Sequence, residues 1–181
     1  LPEAELYEAD RLTKAGAKIF FYSVENGRNE RSFRYFHAKY TVVDGKRVFV
    51  GSSNYGMRGK PIDNTVGNRE WEVALESKTI AAMFNAAFEN DLSLQDEWIK
   101  YGQIDRYRFN NKAFVPNRQI KKGQYTPTFE PEKDTNVGVQ TVFAPENSLD
   151  ATTGIVATID RAQEYIRVEQ MGFETSWGQK P

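Results

Sequence analysis

Leu6, Ala9 and Leu12 recur along one side of an otherwise polar segment over residues 3–15, with Pro2 before it and Gly16 just after. That spacing predicts a helix with a proline at its start and a glycine at its end. The run from Lys18 to Ser23 is short, apolar and bounded by polar residues, which is the pattern of a buried strand. Helix followed by buried strand is half of an α/β crossover unit. A polar loop carrying Arg28, Arg31 and Arg34 leads into the next element.

Tyr35 to Val43 is rich in β-branched and aromatic residues and ends at Asp44-Gly45, and Arg47 to Val50 is again extended in character. An Asp-Gly step between two such runs predicts a hairpin. Glu70 to Glu76 alternates, with Trp71, Val73 and Leu75 on one face, and predicts a further strand. Ile80, Met83, Phe84, Ala87 and Phe88 then follow at helical spacing, and both Trp71 and the Phe84/Phe88 stripe are expected in the core.

Residues 95–136 lose all period and are rich in Lys, Asn, Gln, Pro and Tyr, so they read as a long connection. Its aromatics Trp98, Tyr101, Tyr107 and Phe109 suit interdomain packing first, and otherwise a substrate rim or a contact with membrane. Beyond it, a strand is expected near Val139–Phe143, a helix at about 150–165 with Ile155, Ile159 and Ala162 inward, and a strand over Ile166–Phe173. The pattern divides the chain into residues 1–95, a connection over 96–136, and the opening of a second α/β unit over 137–181.

Composition narrows the chemistry. Hydrophobic residues make up 39% and aromatics 13% of the 181 residues, enough for a packed core. The net charge of -1 lacks the basic excess usual in nucleic-acid binders. The absence of cysteine and the single histidine leave no thiolate site and no multi-imidazole metal site within these residues. No cofactor and no metal are expected. No apolar run reaches the roughly 20 residues of a membrane span. Because the first residue is Leu1 and not methionine, the N-terminus reads as truncated, and cytoplasmic and secreted locations both stay open.

The single histidine sits in the densest group of chemically useful residues. In a strand, side chains two apart share a face, so His37 and Lys39 are expected to project together, and a hairpin returns Ser52 and Asn54 beside them. An imidazole ringed by an ammonium, a hydroxyl and an amide suits attack at phosphorus, because charge builds on the equatorial oxygens. Ser52 and Asn54 also fit ordinary turn positions.

The segment resembles the phospholipase D superfamily, whose signature H-x-K-x4-D-x6-G-S-x-N is met at His37, Lys39, Asp44, Gly51, Ser52 and Asn54. At average residue frequencies such a match arises by chance on the order of once in 10⁸ starting positions. Asn68-Arg-Glu70 matches the family's N-x-E element, and the resemblance covers roughly residues 3–92. A weaker one, from Phe143 to Phe173, is to the start of another half-domain.

The resemblance implies an α/β/α sandwich with a mixed sheet flanked by helices, here as a fragment of a two-lobed enzyme. It implies that His37 attacks a phosphodiester to form a phosphohistidine, while Lys39, Ser52 and Asn54 hold the non-bridging oxygens. Glu70 would orient the nucleophile, with Glu72 as its neighbouring competitor. Asp44 and Gly51 would be structural, and Arg34 and Arg58 would meet substrate, although arginines 28, 31 and 34 equally suit a solvated loop. A second histidine, from the same full-length chain or a homodimer, would serve as acid and base. The leading expectation is cleavage or transfer of a phosphatidyl group with peripheral membrane contact. A metal-independent nuclease and a non-catalytic scaffold are the alternatives.

Overall fold

The computed structural model describes residues 3–22, 36–56, 59–60, 67–93, 98–100 and 129–169. Arg34, Arg58, Tyr101, Tyr107, Phe109 and the end of the expected last strand lie outside them. The chain divides into two compact units, Leu1–Glu130 and Pro131–Pro181.

The first unit opens with helix α1, Glu3–Lys14. Arg11 pairs with Glu8 at 2.6 Å and Lys14 with Asp10 at 2.6 Å, the one-turn spacings that support an exposed helix face. Gly16 ends the helix at φ 97°. The amides of Gly16 and Ala17 bond back to the carbonyls of Thr13 and Leu12, the double closure that a left-handed residue permits. Strand β1, Phe20–Tyr22, follows.

Strands β2, Tyr40–Val43, and β3, Arg47–Gly51, form the expected hairpin. Asp44 and Gly45 take φ values of 53° and 60°, a conformation that aspartate tolerates and glycine adopts freely. Strand β4, Glu72–Glu76, pairs with β3, giving a three-stranded antiparallel sheet in the order β2-β3-β4. Helix α2, Lys78–Leu92, starts at once, with Ser77 accepting from the Ile80 amide at 3.3 Å as its N-cap. It lays Ala81 and Phe84 against β2 and β3, where Val48 is fully buried and the Tyr40 and Phe84 rings lie 5.0 Å apart. Burial, aided by the charge of Asp91, pushes the Tyr40 phenol above its ordinary pKa.

The arrangement is α/β, and every strand pairing among the described residues is antiparallel. Several expectations change. Among the described residues the regular strand begins at Tyr40, opposite Val50, and residues 36–39 lie outside it, with the Gly51 amide bonding to the Lys39 carbonyl. Trp71 is 61% and Phe88 50% exposed, so neither is core. Helix α2 departs from the Glu76 end of β4, which half-buries Leu75 and leaves Val73 and Trp71 progressively uncovered. Within the stretch expected to be structureless, β5, Trp98–Lys100, pairs antiparallel with β1.

In the second unit the strand expected at Val139–Phe143 is absent. The Asn147 side chain accepts from the Phe143 amide at 2.6 Å and donates to the Thr141 carbonyl at 3.2 Å, occupying groups a ladder would need. The helix shrinks to α3, Ile155–Asp160. Asp150 Oδ1 accepts from the amides and hydroxyls of Thr152 and Thr153, which folds the start of the expected helix into a local turn. Those bonds hold the Asp150 carboxyl well below the ordinary range. Ile155 and Ile159 are exposed and Ala157 is the buried residue. Residues 166–169 form no strand.

Candidate functional site

The site is built where the open end of the hairpin meets the chain leading into β4. Gly51 lies opposite Glu72, and the next pair of residues, Ser52 and Trp71, continues the ladder, with the Ser52 amide donating to the Trp71 carbonyl at 3.1 Å. Gly51 is required there. A Cβ would lie 2.5 Å from Glu72 Cγ and collide with the Trp71 carbonyl oxygen.

Ser52 Oγ donates to Glu70 Oε2 at 2.5 Å and accepts from the Trp71 amide at 3.2 Å, while Asn68 Nδ2 donates to Glu70 Oε1 at 3.1 Å. The bonds from Ser52 and then Asn68, helped by the positive charge of Lys39, hold the Glu70 carboxyl below its ordinary range against partial burial and the charge of Glu72. A hydroxyl carries a single proton. With that proton committed to Glu70, Ser52 cannot at the same time donate to a phosphate oxygen.

The neighbouring serine repeats the pattern. Ser53 Oγ donates to Glu72 Oε1, Lys60 Nζ donates to the same oxygen, and Lys60 also reaches Ser53 Oγ at 2.9 Å. Lys60 and then Ser53 hold the Glu72 carboxyl below its ordinary range, with partial burial opposing. Two successive serines therefore clamp two alternate glutamates. The sequence signal for the second clamp is the doubled serine of Gly51-Ser52-Ser53-Asn54 facing Glu70-Trp-Glu72. It gives no hint of Lys60, which arrives from the loop after Asn54.

His37 and Asn54 are exposed, and Lys39 Nζ donates to the His37 carbonyl at 2.6 Å. Lys39 and Ser52 of the hairpin thus meet Glu70 at one end of the sheet, and Asn54 follows two residues after Ser52. Among the described residues, Glu70 is held by Ser52 and Asn68, and the His37 ring makes no hydrogen bond to it. Asp44 sits at the far turn. The loop bearing Asn54 is folded tightly, with the Gly56 amide on the Asn54 carbonyl at 2.9 Å and the Lys60 amide on the Gly56 carbonyl at 2.8 Å. Among the described residues no group of three or more histidine or carboxylate side chains is placed to hold a metal, and no helix is long and apolar enough to cross a membrane.

Residues 1–92 match the family described as "Cardiolipin synthase, PLD-like domain", PLD being phospholipase D. Cardiolipin synthase C of Escherichia coli strain K12 is 29% identical over 109 residues, covering 57% of this chain. The match spans about a fifth (21%) of that relative's length. No solved structure matches the chain.

Proposed function

Because this chain belongs to the phospholipase D-like domain family of cardiolipin synthase, we propose that it supplies one half-site of a two-lobed enzyme that transfers or hydrolyses a phosphatidyl group. The observation that carries this reading is the bond of the signature residue Ser52 to Glu70, within the charge field of Lys39, at the open end of the β2–β3 hairpin. An imidazole nitrogen of His37 attacks phosphorus, the bond to the leaving alcohol oxygen breaks, and that oxygen takes a proton from an acid outside these residues. An acceptor hydroxyl, giving its proton back to that outside group, then forms the new P–O bond as the bond from phosphorus to His37 breaks, leaving the product phosphodiester. In the free protein the Ser52 proton belongs to Glu70, so the non-bridging oxygens fall first to Lys39 and Asn54. The expected second half comes from further sequence or from another copy. Arg34 and Arg58 remain proposed substrate contacts.

Bis(p-nitrophenyl) phosphate tests the reading on this chain. Its leaving group departs without a proton, so the first step needs no second histidine. The expected result is release of up to one equivalent of p-nitrophenolate per chain with a covalent adduct on His37, seen by mass spectrometry and abolished in His37→Asn. An adduct elsewhere, or release that survives His37→Asn, would reject the nucleophile. Salt-sensitive binding of DNA in preference to anionic lipid vesicles would move the substrate to the nuclease alternative. Failure of any release would favour the scaffold.

A further inference from the structure

Ser53, Lys60 and Glu72 have no part in the proposed transfer, yet they form its nearest neighbour. Ser53 is 2% exposed and is the buried polar side chain among the described residues. It is bonded to both Glu72 and Lys60, which also meet each other directly. The Lys60 ammonium lies 5.2 Å from the centre of the Tyr55 ring, whose hydroxyl is 2.6 Å from Thr41 Oγ1 on β2. Lys60 is thereby held over the same sheet face as Thr41.

The strand register explains why this matters. The Gly51 amide bonds to the Lys39 carbonyl on one side, and Gly51 pairs with Glu72 on the other. Lys39, Gly51 and Glu72 form one row across the sheet, and side chains of one row share a face. Gly51 puts nothing between its neighbours. Lys39 and Glu72 line the same shallow depression. Residues two strands apart in a row are about 10 Å apart, within the combined reach of a lysine and a glutamate. Lys39 already feels the charge of Glu70, and Glu72, unopposed, would be a second carboxylate within its reach.

We propose that Lys60 is a positioning residue which, by occupying Glu72, keeps that carboxylate from neutralising Lys39 and leaves Lys39 for a phosphate oxygen. The attraction between two opposite charges weakens as each is already compensated by another partner. Glu72, with Lys60 on one oxygen, offers Lys39 little. Without Lys60 the carboxylate, whose Cγ already lies beside Gly51, loses its compensating cation, turns to Lys39 and competes with phosphate. The proposal rests on the reading of Lys39 as a phosphate ligand.

The test measures inorganic phosphate affinity by calorimetry on the whole chain, together with the ε-methylene NMR resonance of Lys39. Lys60→Met is expected to weaken phosphate binding about fivefold, the scale of a partly exposed charge pair, and to shift the Lys39 resonance. Adding Glu72→Gln to that variant should return both to within about twofold of wild type, a rescue that a scaffolding role does not give. Lys60→Arg should bind phosphate as wild type does. An unchanged affinity in Lys60→Met, or a loss that persists in the double variant, overturns the proposal. If Lys60→Met does not fold, Glu72→Gln alone decides, because removing the competitor must leave affinity at or above wild type. If wild type binds no phosphate, the reading of Lys39 fails by itself, and an unmoved Lys39 resonance in Lys60→Met then overturns this proposal separately.

Discussion

Ser52 and Glu70 are 18 residues apart in sequence and joined by a 2.5 Å hydrogen bond from the hydroxyl to the carboxylate. The bond commits a signature residue to a carboxylate before any phosphate arrives. With Asn68 on the other oxygen, it fixes the Glu70 carboxylate at the end of the sheet and acidifies it.

The first prediction concerns that acidity. Glu70 has a folded-state pKa below its unfolded value, so it stabilises the fold fully above the ordinary carboxylate range. That contribution is lost as the pH falls through the folded-state value. Ser52→Ala removes the largest cause, so Glu70 should titrate closer to its ordinary value, and the fall in stability toward acid pH should become shallower. Carbon-13 NMR of the glutamate carboxyls and acid unfolding read the two effects. A Glu70 titration that Ser52→Ala does not move would remove the hydroxyl as its cause.

Gly51→Ala should act on the fold. The new methyl meets the Glu72 side chain at Cγ, 2.5 Å away, and also the Trp71 carbonyl and, at 3.0 Å, Glu72 Cα, the last two on the backbone path of β4 and its approach. Forcing these apart should cost about 1–3 kcal/mol, the usual scale of overpacking, measured as a lower denaturation midpoint. The Ser52–Glu70 bond should weaken with it. An alanine variant of undiminished stability would show that the two strands meet less closely than this geometry.

How far the sequence reaches is clear from which interactions are local. The β2–β3 hairpin was legible because two adjacent residues, Asp44 and Gly45, encode the turn by their tolerance of positive φ, and α2 because its apolar spacing and the Ser77 cap lie within it. Strand β5 was not legible, since Trp98–Lys100 owes its conformation to pairing with the distant Phe20–Tyr22. The strand expected at Val139–Phe143 failed for the opposite reason, a local side chain, Asn147, taking the backbone bonds first. At the site, the signature named Lys39, Ser52, Asn54 and Glu70. Lys60 carried no periodic or motif signal, because the loop fold alone brings it to Glu72.

Asp44 offers a prediction that separates shape from charge. At φ 53° it occupies a region that asparagine enters as readily, and it sits at the turn away from Glu70 and Lys39. Asp44→Asn should therefore keep both stability and p-nitrophenolate release within about twofold of wild type. Asp44→Val, β-branched in a left-handed position, should cost about 1–2 kcal/mol of stability. A tenfold or larger loss of release in Asp44→Asn, with stability intact, would give its charge a part in the chemistry.

Gly59 should show the reverse, an effect on chemistry with the sheet untouched. A Cβ at Gly59 would lie 3.0 Å from the Asn54 amide nitrogen and collide with the Asn54 carbonyl oxygen, so the returning loop presses directly on the residue that presents the Asn54 amide. The loop contributes no strand to the β2-β3-β4 ladder. Gly59→Ala should shift Asn54, and Lys60 with it, and lower p-nitrophenolate release by about ten- to a hundredfold, since sub-ångström placement governs such steps. Its denaturation midpoint should stay near that of wild type, in contrast to Gly51→Ala. If release were unchanged while the amide resonances of Asn54 had moved, Asn54 would hold no oxygen of the reacting phosphate, and the cradle would reduce to Lys39.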